Sequence, residues 1–258
     1  MAEFWNILPT EFIDQKEFHI SNTQLCLAHL IEEGNKYQQN CLNWKKQGNK
    51  IALDNSFYEL KKNPTPEWIV KKAKLVNADI LIPFDLPLRP NLRFIVVNGI
   101  KKIKELGYNG KIMCSVYADN QSFSKDLEQF KILNSIKEVD IVALPYSFNK
   151  DFEFRRPDFL KMIDDKIKKS EIKINKHIHL FGINSCKNFE KEIKYNWIKS
   201  ADSTMPWKVG FYKIKLPVSV EMEPRRPKHY FDIQNVDKEQ RKIINYNLKY
   251  LKELCKDG

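Results

Sequence analysis

The 258-residue chain predicts an α/β protein, a (β/α)8 barrel of the TIM type with a small inserted hairpin and basic turn and a C-terminal helix. Three observations carry this. Short continuous apolar runs alternate with amphipathic stretches of helical period, at the spacing of βα units. The runs lack the in–out alternation of half-exposed strands, as strands of a parallel sheet buried on both faces do. Several of them end in an acid where strand meets loop, the end of a barrel at which chemistry is placed. Seven strands are clear, eight with the first, which favours a closed barrel over an open doubly wound sheet.

Taken in order, Trp5-Asn6-Ile7-Leu8-Pro9 is a candidate first strand. Phe18-His19-Ile20-Ser21-Asn22-Thr23 reads as a strand running into a polar turn, and 25–33 as a helix stopped by Gly34. Ile51-Ala52-Leu53-Asp54 is a buried strand ending in a carboxylate. Thr65-Pro66-Glu67 opens a helix with a capping hydroxyl, a first-turn proline and an acid near the dipole, and Ile69, Ala73 and Val76 give its inward face. Asp79-Ile80-Leu81-Ile82-Pro83-Phe84-Asp85 is the next strand, followed by a helix over about 91–106 that stops at Gly107. Lys111-Ile112-Met113-Cys114-Ser115-Val116-Tyr117 is a strand, and Phe123, Leu127 and Phe130 mark a helix.

Asp140-Ile141-Val142-Ala143-Leu144-Pro145 is again a strand, and Phe159-Leu160-Lys161-Met162-Ile163 lies in a basic helix. His177-Ile178-His179-Leu180-Phe181-Gly182 is a strand, 189–199 a helix and Ala201-Asp202 the last barrel strand. Residues 208–235 break the rhythm. Lys213-Ile214-Lys215-Leu216-Pro217-Val218 alternates like an edge hairpin, and Glu223-Pro224-Arg225-Arg226-Pro227-Lys228 is an exposed basic turn. The final helix, over 236–256, starts at Asp237 with Gln240 three residues on, a capping-box pattern, and buries Ile244, Leu248, Leu251 and Cys255.

Apolar residues make up 42% and aromatic ones 12%, enough for a sizeable core. With 8 glycines and no Ser/Gly-rich stretch there is no flexible linker, so 1–258 reads as one domain. No apolar run approaches the roughly 20 residues of a membrane-spanning helix. Ala2-Glu3-Phe4-Trp5-Asn6 has neither a basic region nor an apolar signal core. Cys26, Cys41, Cys114, Cys186 and Cys255 stand far apart and read as reduced thiols of a cytoplasmic protein, with no disulfide framework and no zinc site. A balance of 44 basic against 33 acidic residues gives +11, which favours a polyanionic partner, nucleic acid first. Biased codon use and solvated helix faces account for such a lysine excess equally well. No cofactor is indicated, and the oligomeric state, a homodimer included, is left open.

Asp54, Asp85 and Asp202 stand at three strand ends, so a closed barrel brings them to one pocket. Any one of them alone is more simply a helix cap; the set of three points to chemistry. His177 and His179 share one side of a strand, which makes a metal pair and a metal-dependent barrel hydrolase conceivable. His19, His29 and His229 are poorly placed to complete a ligand set, so local hydrogen bonding is the default. No Gly-x-Gly-x-x-Gly, phosphate-binding loop or Ser/His/Asp order stands out.

Six short motifs keep one order over residues 20 to 255. They are Ser21-Asn22-Thr23, Asp54-Asn55-Ser56-Phe57-Tyr58-Glu59, Phe84-Asp85-Leu86-Pro87, His179-Leu180-Phe181-Gly182, Ala201-Asp202-Ser203-Thr204-Met205-Pro206-Trp207-Lys208 and Tyr246-Asn247-Leu248-Lys249-Tyr250-Leu251. Together the set resembles the tRNA-guanine transglycosylase superfamily, and within it the DNA-acting branch, the DpdA-like 7-deazaguanine transglycosylases. The resemblance implies a pentosyltransferase that exchanges guanine in DNA for a 7-deazaguanine, 7-cyano-7-deazaguanine above all. Asp202 would be the nucleophile, Asp54 the acid/base, Asp85 the acceptor for the base N–H groups and Tyr58 the stacking ring. Asn55, Ser56, Tyr117, Asn22, Leu144 and Gly182 would complete the base pocket, and Lys208, Arg225, Arg226 and Lys228 would meet the nucleic acid. The alternatives are exchange in tRNA, or a catalytically silent nucleic-acid-binding barrel that partners an active paralogue.

The departures are specific. The family's glycine pair is Ser56-Phe57, its Val-Gln-Gly-Gly is Val116-Tyr117-Ala118-Asp119, and the cysteine-rich zinc site of the tRNA enzymes has no counterpart after Asp202.

Overall fold

The computed structural model describes residues 2–117, 122–145, 155–183, 185–218, 227 and 229–257, the side chains at 155 and 257 excepted. Its described residues form eight parallel strands: β1 (Glu3–Trp5), β2 (Thr23–Leu27), β3 (Lys50–Asp54), β4 (Ile80–Leu81), β5 (Lys111–Ser115), β6 (Ile141–Pro145), β7 (His177–Phe181) and β8 (Ile198–Asp202). From β2 to β8 each pairs with its sequence neighbour, and β8 pairs with β1. The remaining gap, β1 to β2, closes through Asn6. Its N–H donates to the Thr23 carbonyl at 2.9 Å and its carbonyl accepts from Leu25 at 2.8 Å. The result is the (β/α)8 barrel that the alternation predicted.

Strand periodicity sorts the side chains into two cores. Trp5, Leu25, Ala52, Ile80, Ile82, Met113, Ile141 and Ala143 fill the barrel. Residues of opposite parity, such as Ile51, Leu53, Ile112, Val142 and Leu180, pack against the helices in a second, larger cluster. The helices are α1 (Lys36–Lys46), α2 (Phe57–Leu60), α3 (Pro66–Val76), α4 (Leu92–Glu105), α5 (Phe123–Ser135), α6 (Arg155–Lys168), α7 (Cys186–Glu192), α8 (Met205–Phe211) and α9 (Lys238–Asp257). The start of α3 is as its sequence requires, with Thr65 accepting from the Trp68 N–H at 3.3 Å and Pro66 in the first turn. The capping box of α9 is reciprocal: Asp237 and Gln240 each accept the other's backbone N–H at 2.8 Å. Gly210 lets α8 meet α9, since a Cβ there would stand 2.6 Å from Ile244 Cγ1 and 3.0 Å from its Cα.

Several expectations need correction, beginning with the first strand, which is Glu3–Trp5 and not 5–9. The stretch 25–33 is not an α-helix, only Ala28–Leu30 making a single 3-10 turn, and of 18–23 only Thr23 is in a strand. The strand is β2, all five of whose residues are buried, so that it carries no alternation to reveal it. The helix comes later, as α1, capped by Asn35 and buried along Tyr37, Cys41 and Trp44. The helix expected over 189–199 is α7, shorter and earlier, because its last residues join β8. Finally, 213–218 forms no strand. Its backbone is held by the buried Asn247 of α9, which accepts from Leu216 N–H at 2.8 Å and donates to the carbonyls of Ile214 at 2.9 Å and Pro206 at 3.2 Å. Among the described residues no helix is long and apolar enough to cross a membrane.

Asn247 therefore ties α8 and the chain that follows it to the last helix. Asn247→Leu should lower stability by about 1–3 kcal/mol for each buried backbone group left unpaired. Urea unfolding should show a lower midpoint at unchanged slope; an unchanged midpoint would remove Asn247 from this role.

Candidate active site

Asp54 and Asp202 are the last residues of β3 and β8, and Asp85 follows shortly after β4. All three therefore lie at the C-terminal mouth of the barrel. The loop after β3 is folded around them. Asp54 Oδ1 accepts the Ser56 N–H at 2.6 Å. Asn55, wholly buried, accepts the Phe57 N–H at 2.7 Å and donates its Nδ2 to Asp85 Oδ2 at 3.0 Å. Asn63 grips the backbone of Asp85 from both sides, accepting its N–H and donating to its carbonyl at 2.8 Å each. Ser56 stands where glycine is the usual residue, at φ 61° and ψ 29°. Its hydroxyl gives a reason for the side chain, because Oγ accepts the His29 N–H at 3.1 Å and ties this loop to the one after β2.

Burial, with carboxylate crowding second, sets the electrostatics. Burial first, then the neighbouring Asp85, pushes Asp54 up to about 8; Glu59 and Asp202 add to the rise and the Ser56 N–H opposes it. Burial also raises Asp85, against the Asn55 donor. Asp202, buried, takes its partners from the next strand. His179 Nε2 lies 2.9 Å from Oδ2, and the Gly182 N–H is 3.3 Å from Oδ1 and 3.4 Å from Oδ2. The buried Arg156 braces this rim. It makes a bidentate pair with Glu192 at 2.9 and 2.7 Å and donates to the carbonyls of Phe181 at 2.7 Å and Gly182 at 2.8 Å.

No protein-family model matches the chain, and no curated protein does. Among solved structures it is similar to N-(5′-phosphoribosyl)anthranilate isomerase from Pyrococcus furiosus, at 10% identity and a TM-score of 0.51 over 100% of both chains. It also matches dihydrodipicolinate synthase from Agrobacterium tumefaciens at 10% identity and a TM-score of 0.49, over 78% of this chain and 69% of that one. The first likeness shows the fold.

The remaining expected site residues separate. Gly182 and Asn55 stand at the mouth, where their described bonds go to Asp202 and Asp85. Tyr58 is 65% exposed, with Lys61 Nζ 4.1 Å from its ring centroid, so it does not line a closed pocket. It belongs to the one-turn α2, which turns it outward, whereas Phe57 meets Tyr117 edge-on at 6.3 Å. Asn22 is misplaced by the register of β2: it precedes the strand and lies at the opposite end of the barrel. The Leu144 side chain belongs to the outer cluster, which leaves only its backbone for a ligand. Lys208 lies partly buried in α8, near Asp202 in the chain. Arg225, Arg226 and Lys228 lie outside the described residues, as do Ala118 and Asp119.

Sequence reasoning missed Ser200, Asn63 and Arg156. For Ser200 a signal existed. His-x-His and Ser-x-Asp put polar residues on alternate positions of adjacent strands otherwise buried on both faces. His177 and His179, weighed as a metal pair, are hydrogen-bonded instead to Ser200 and Asp202. Among the described residues no group of three or more His, Cys, Asp or Glu could hold a metal ion.

The raised Asp54 makes stability depend on pH with a definite sign. In acid both states hold the proton; as pH rises towards about 8 only the unfolded chain releases it, so the fold loses stability over that window and no further above it. Asp54→Asn cannot ionise. It should match the wild type near the ordinary carboxylate range, about pH 4, and exceed it at pH 8 by a few kcal/mol, an order-of-magnitude figure. Urea unfolding across this range tests it; a gap that fails to widen with pH would show that Asp54 is not held protonated.

Proposed function

We propose that the protein is a base-exchange transglycosylase that replaces guanine in DNA with a 7-deazaguanine, 7-cyano-7-deazaguanine in particular, through a covalent glycosyl-Asp202 intermediate. One observation carries the reading. A carboxyl group that keeps its proton to about pH 8, Asp54, shares the barrel mouth with Asp202, whose oxygens face the Gly182 N–H and His179. A protonated carboxyl group beside a second carboxyl group at the same mouth is the arrangement that pairs an acid with a nucleophile.

In the first displacement an Asp202 oxygen bonds to the anomeric carbon, the glycosidic bond breaks with its electron pair on the base, and the Asp54 proton passes to the departing guanine. In the second, the incoming base returns a proton to Asp54 and attacks the same carbon, expelling Asp202. Two inversions retain configuration. Asp85, aimed by Asn55 and Asn63, accepts N–H groups of the bound base. One ring of the edge-on pair Phe57 and Tyr117 suits a face of that base, and Tyr58 suits a nucleotide beside the extruded one. The charge of +11 supports a polyanionic substrate, and Lys208 lies on α8, the helix that follows Asp202.

The test is incorporation of labelled 7-cyano-7-deazaguanine into duplex and single-stranded DNA, with tRNA transcripts alongside. The wild type should label DNA, with affinity falling by about one log unit per log of salt for each phosphate neutralised. Asp202→Asn should fold normally yet lose both turnover and the trapped adduct by several orders of magnitude. Full turnover by that variant would remove the nucleophile. Robust labelling of tRNA with none of DNA would reassign the substrate.

A further inference from the structure

Below Asp202 a file of polar side chains runs down the inside of the barrel on β7 and β8, where His179 and Ser200 are partners in the register. The Ser200 hydroxyl lies 2.6 Å from His177 Nε2 and 2.7 Å from His179 Nδ1, and His179 Nε2 lies 2.9 Å from Asp202 Oδ2. Ser200 and His179 are wholly buried. Trp5 lies against the His179 ring, 4.1 Å between centroids at 31°, and Phe181 meets it edge-on at 5.0 Å. These rings fix the imidazole plane, and the strand pairing fixes what each nitrogen faces.

The hydrogens of this file can be counted. An ionised carboxylate only accepts, so the Nε2 facing it carries a hydrogen. Ser200 has one hydrogen for two ring nitrogens, so it gives to one and takes from the other. A hydrogen on His179 Nδ1 as well would place a cation in the barrel core. The arrangement without a second buried charge has Ser200 donating to His179 Nδ1 and His177 Nε2–H donating to Ser200. His177 suits that part as a neutral ring, since burial, with His179, Lys111 and Lys199, pulls it down to about 4.

We propose that His179 is the positioning residue of Asp202, fixed by Ser200 and His177 as the neutral Nε2–H tautomer, so that it holds Oδ2 and leaves Oδ1, which faces only the longer contact from the Gly182 N–H at 3.3 Å, as the attacking oxygen. This rests on Asp202 being the nucleophile. When Oδ1 bonds to the anomeric carbon and the base leaves with its electron pair, Oδ2 becomes the ester carbonyl oxygen and keeps the His179 hydrogen bond. The same bond then favours Asp202 as the leaving group in the second displacement. No proton passes through His179 in either step; the proton of the exchange is carried by Asp54.

The decisive measurement is nitrogen NMR of the full chain with labelled histidines, at neutral pH and without substrate. Both rings should carry hydrogen on Nε2, with His179 Nδ1 at the shift of a hydrogen-bonded acceptor. Ser200→Ala should move that Nδ1 signal towards the unbonded value and Ser200→Thr should restore it. In the exchange assay Ser200→Ala should lower kcat about 10- to 100-fold, the effect usual for an outer partner of a functional group, with KM for the base unchanged and recovery in Ser200→Thr. Hydrogen on His179 Nδ1, in neutral or cationic form, overturns the proposal, as does an Nδ1 signal indifferent to Ser200→Ala. Should that variant fail to fold, the wild-type tautomer decides alone. A wild type that exchanges no base would overturn the transglycosylase reading, while the tautomer still decides the geometry around Asp202.

Discussion

The structure depends on the seam between β1 and β2, where Asn6 gives its N–H to Thr23 and takes one from Leu25. β1 is short, and paired with β8 alone it would leave an eight-stranded sheet open at two edges. In such a sheet β3 and β8 lie near opposite ends. Closure through Asn6 leaves only β1 and β2 between them, and Asp202 then comes within electrostatic reach of Asp54. The seam is also shut off from bulk solvent. Asn6 and Gln24, its two partners, are both wholly buried. Two backbone hydrogen bonds shielded from water are a stronger closure than their number suggests, because water cannot compete for either partner.

Bringing three carboxyl groups to one mouth costs repulsion, and the surrounding chain manages it in three ways. Asp54 turns to a backbone N–H two residues on, Asp85 to the Asn55 amide, and Asp202 to His179 and the Gly182 N–H. Separate donors keep the groups distinct instead of leaving them to share one hydrogen bond. Burial, and after it the residual repulsion, falls on Asp54, whose carboxyl is pushed up to about 8. Ser56 is part of the same arrangement: the left-handed backbone that lets its N–H reach Asp54 is stabilised by the bond from His29. A glycine would adopt that backbone more freely but would not tie the β2 and β3 loops together.

Most of the barrel is legible in the sequence because its strands are apolar runs and its helices carry caps. Thr65-Pro66 and the Asp237/Gln240 pair act through local hydrogen bonds that tertiary context leaves intact. The errors arise where local pattern is silent. β2 is buried on every side chain, so no period distinguishes it from a helix, and the register error moved Asn22 to the wrong end of the barrel. The three acids are legible as strand ends, but which neighbours they take is not. Asn63 reaches Asp85 across 22 residues and Arg156 reaches Glu192 across 36, separations at which sequence alone carries no geometric signal. Tyr58 and Phe57 are adjacent in sequence, and only the single turn of α2 decides which of them faces out.

The filling of the barrel carries the argument one step further. From β2 to β6 the packed middle of the inner face is Leu25, Ala52, Ile80, Met113, Ile141 and Ala143, the ordinary choice for a packed interior, with Asp54 and Ser115 only at the strand ends. On β7 and β8 the corresponding positions are His177, His179, Ser200 and Asp202, polar groups that must find partners out of water. Apolar residues there would pack as well and would need no hydrogen bonds, so stability alone does not select them. Their hydrogen-bonding capacity is used in one direction, from the half-buried His177 up to Asp202 at the mouth. A departure from core packing that converges on a single carboxyl group is what a site exacts from its scaffold. It gathers this polar file on the β7–β8 side of the mouth, across from Asp54 and Asp85.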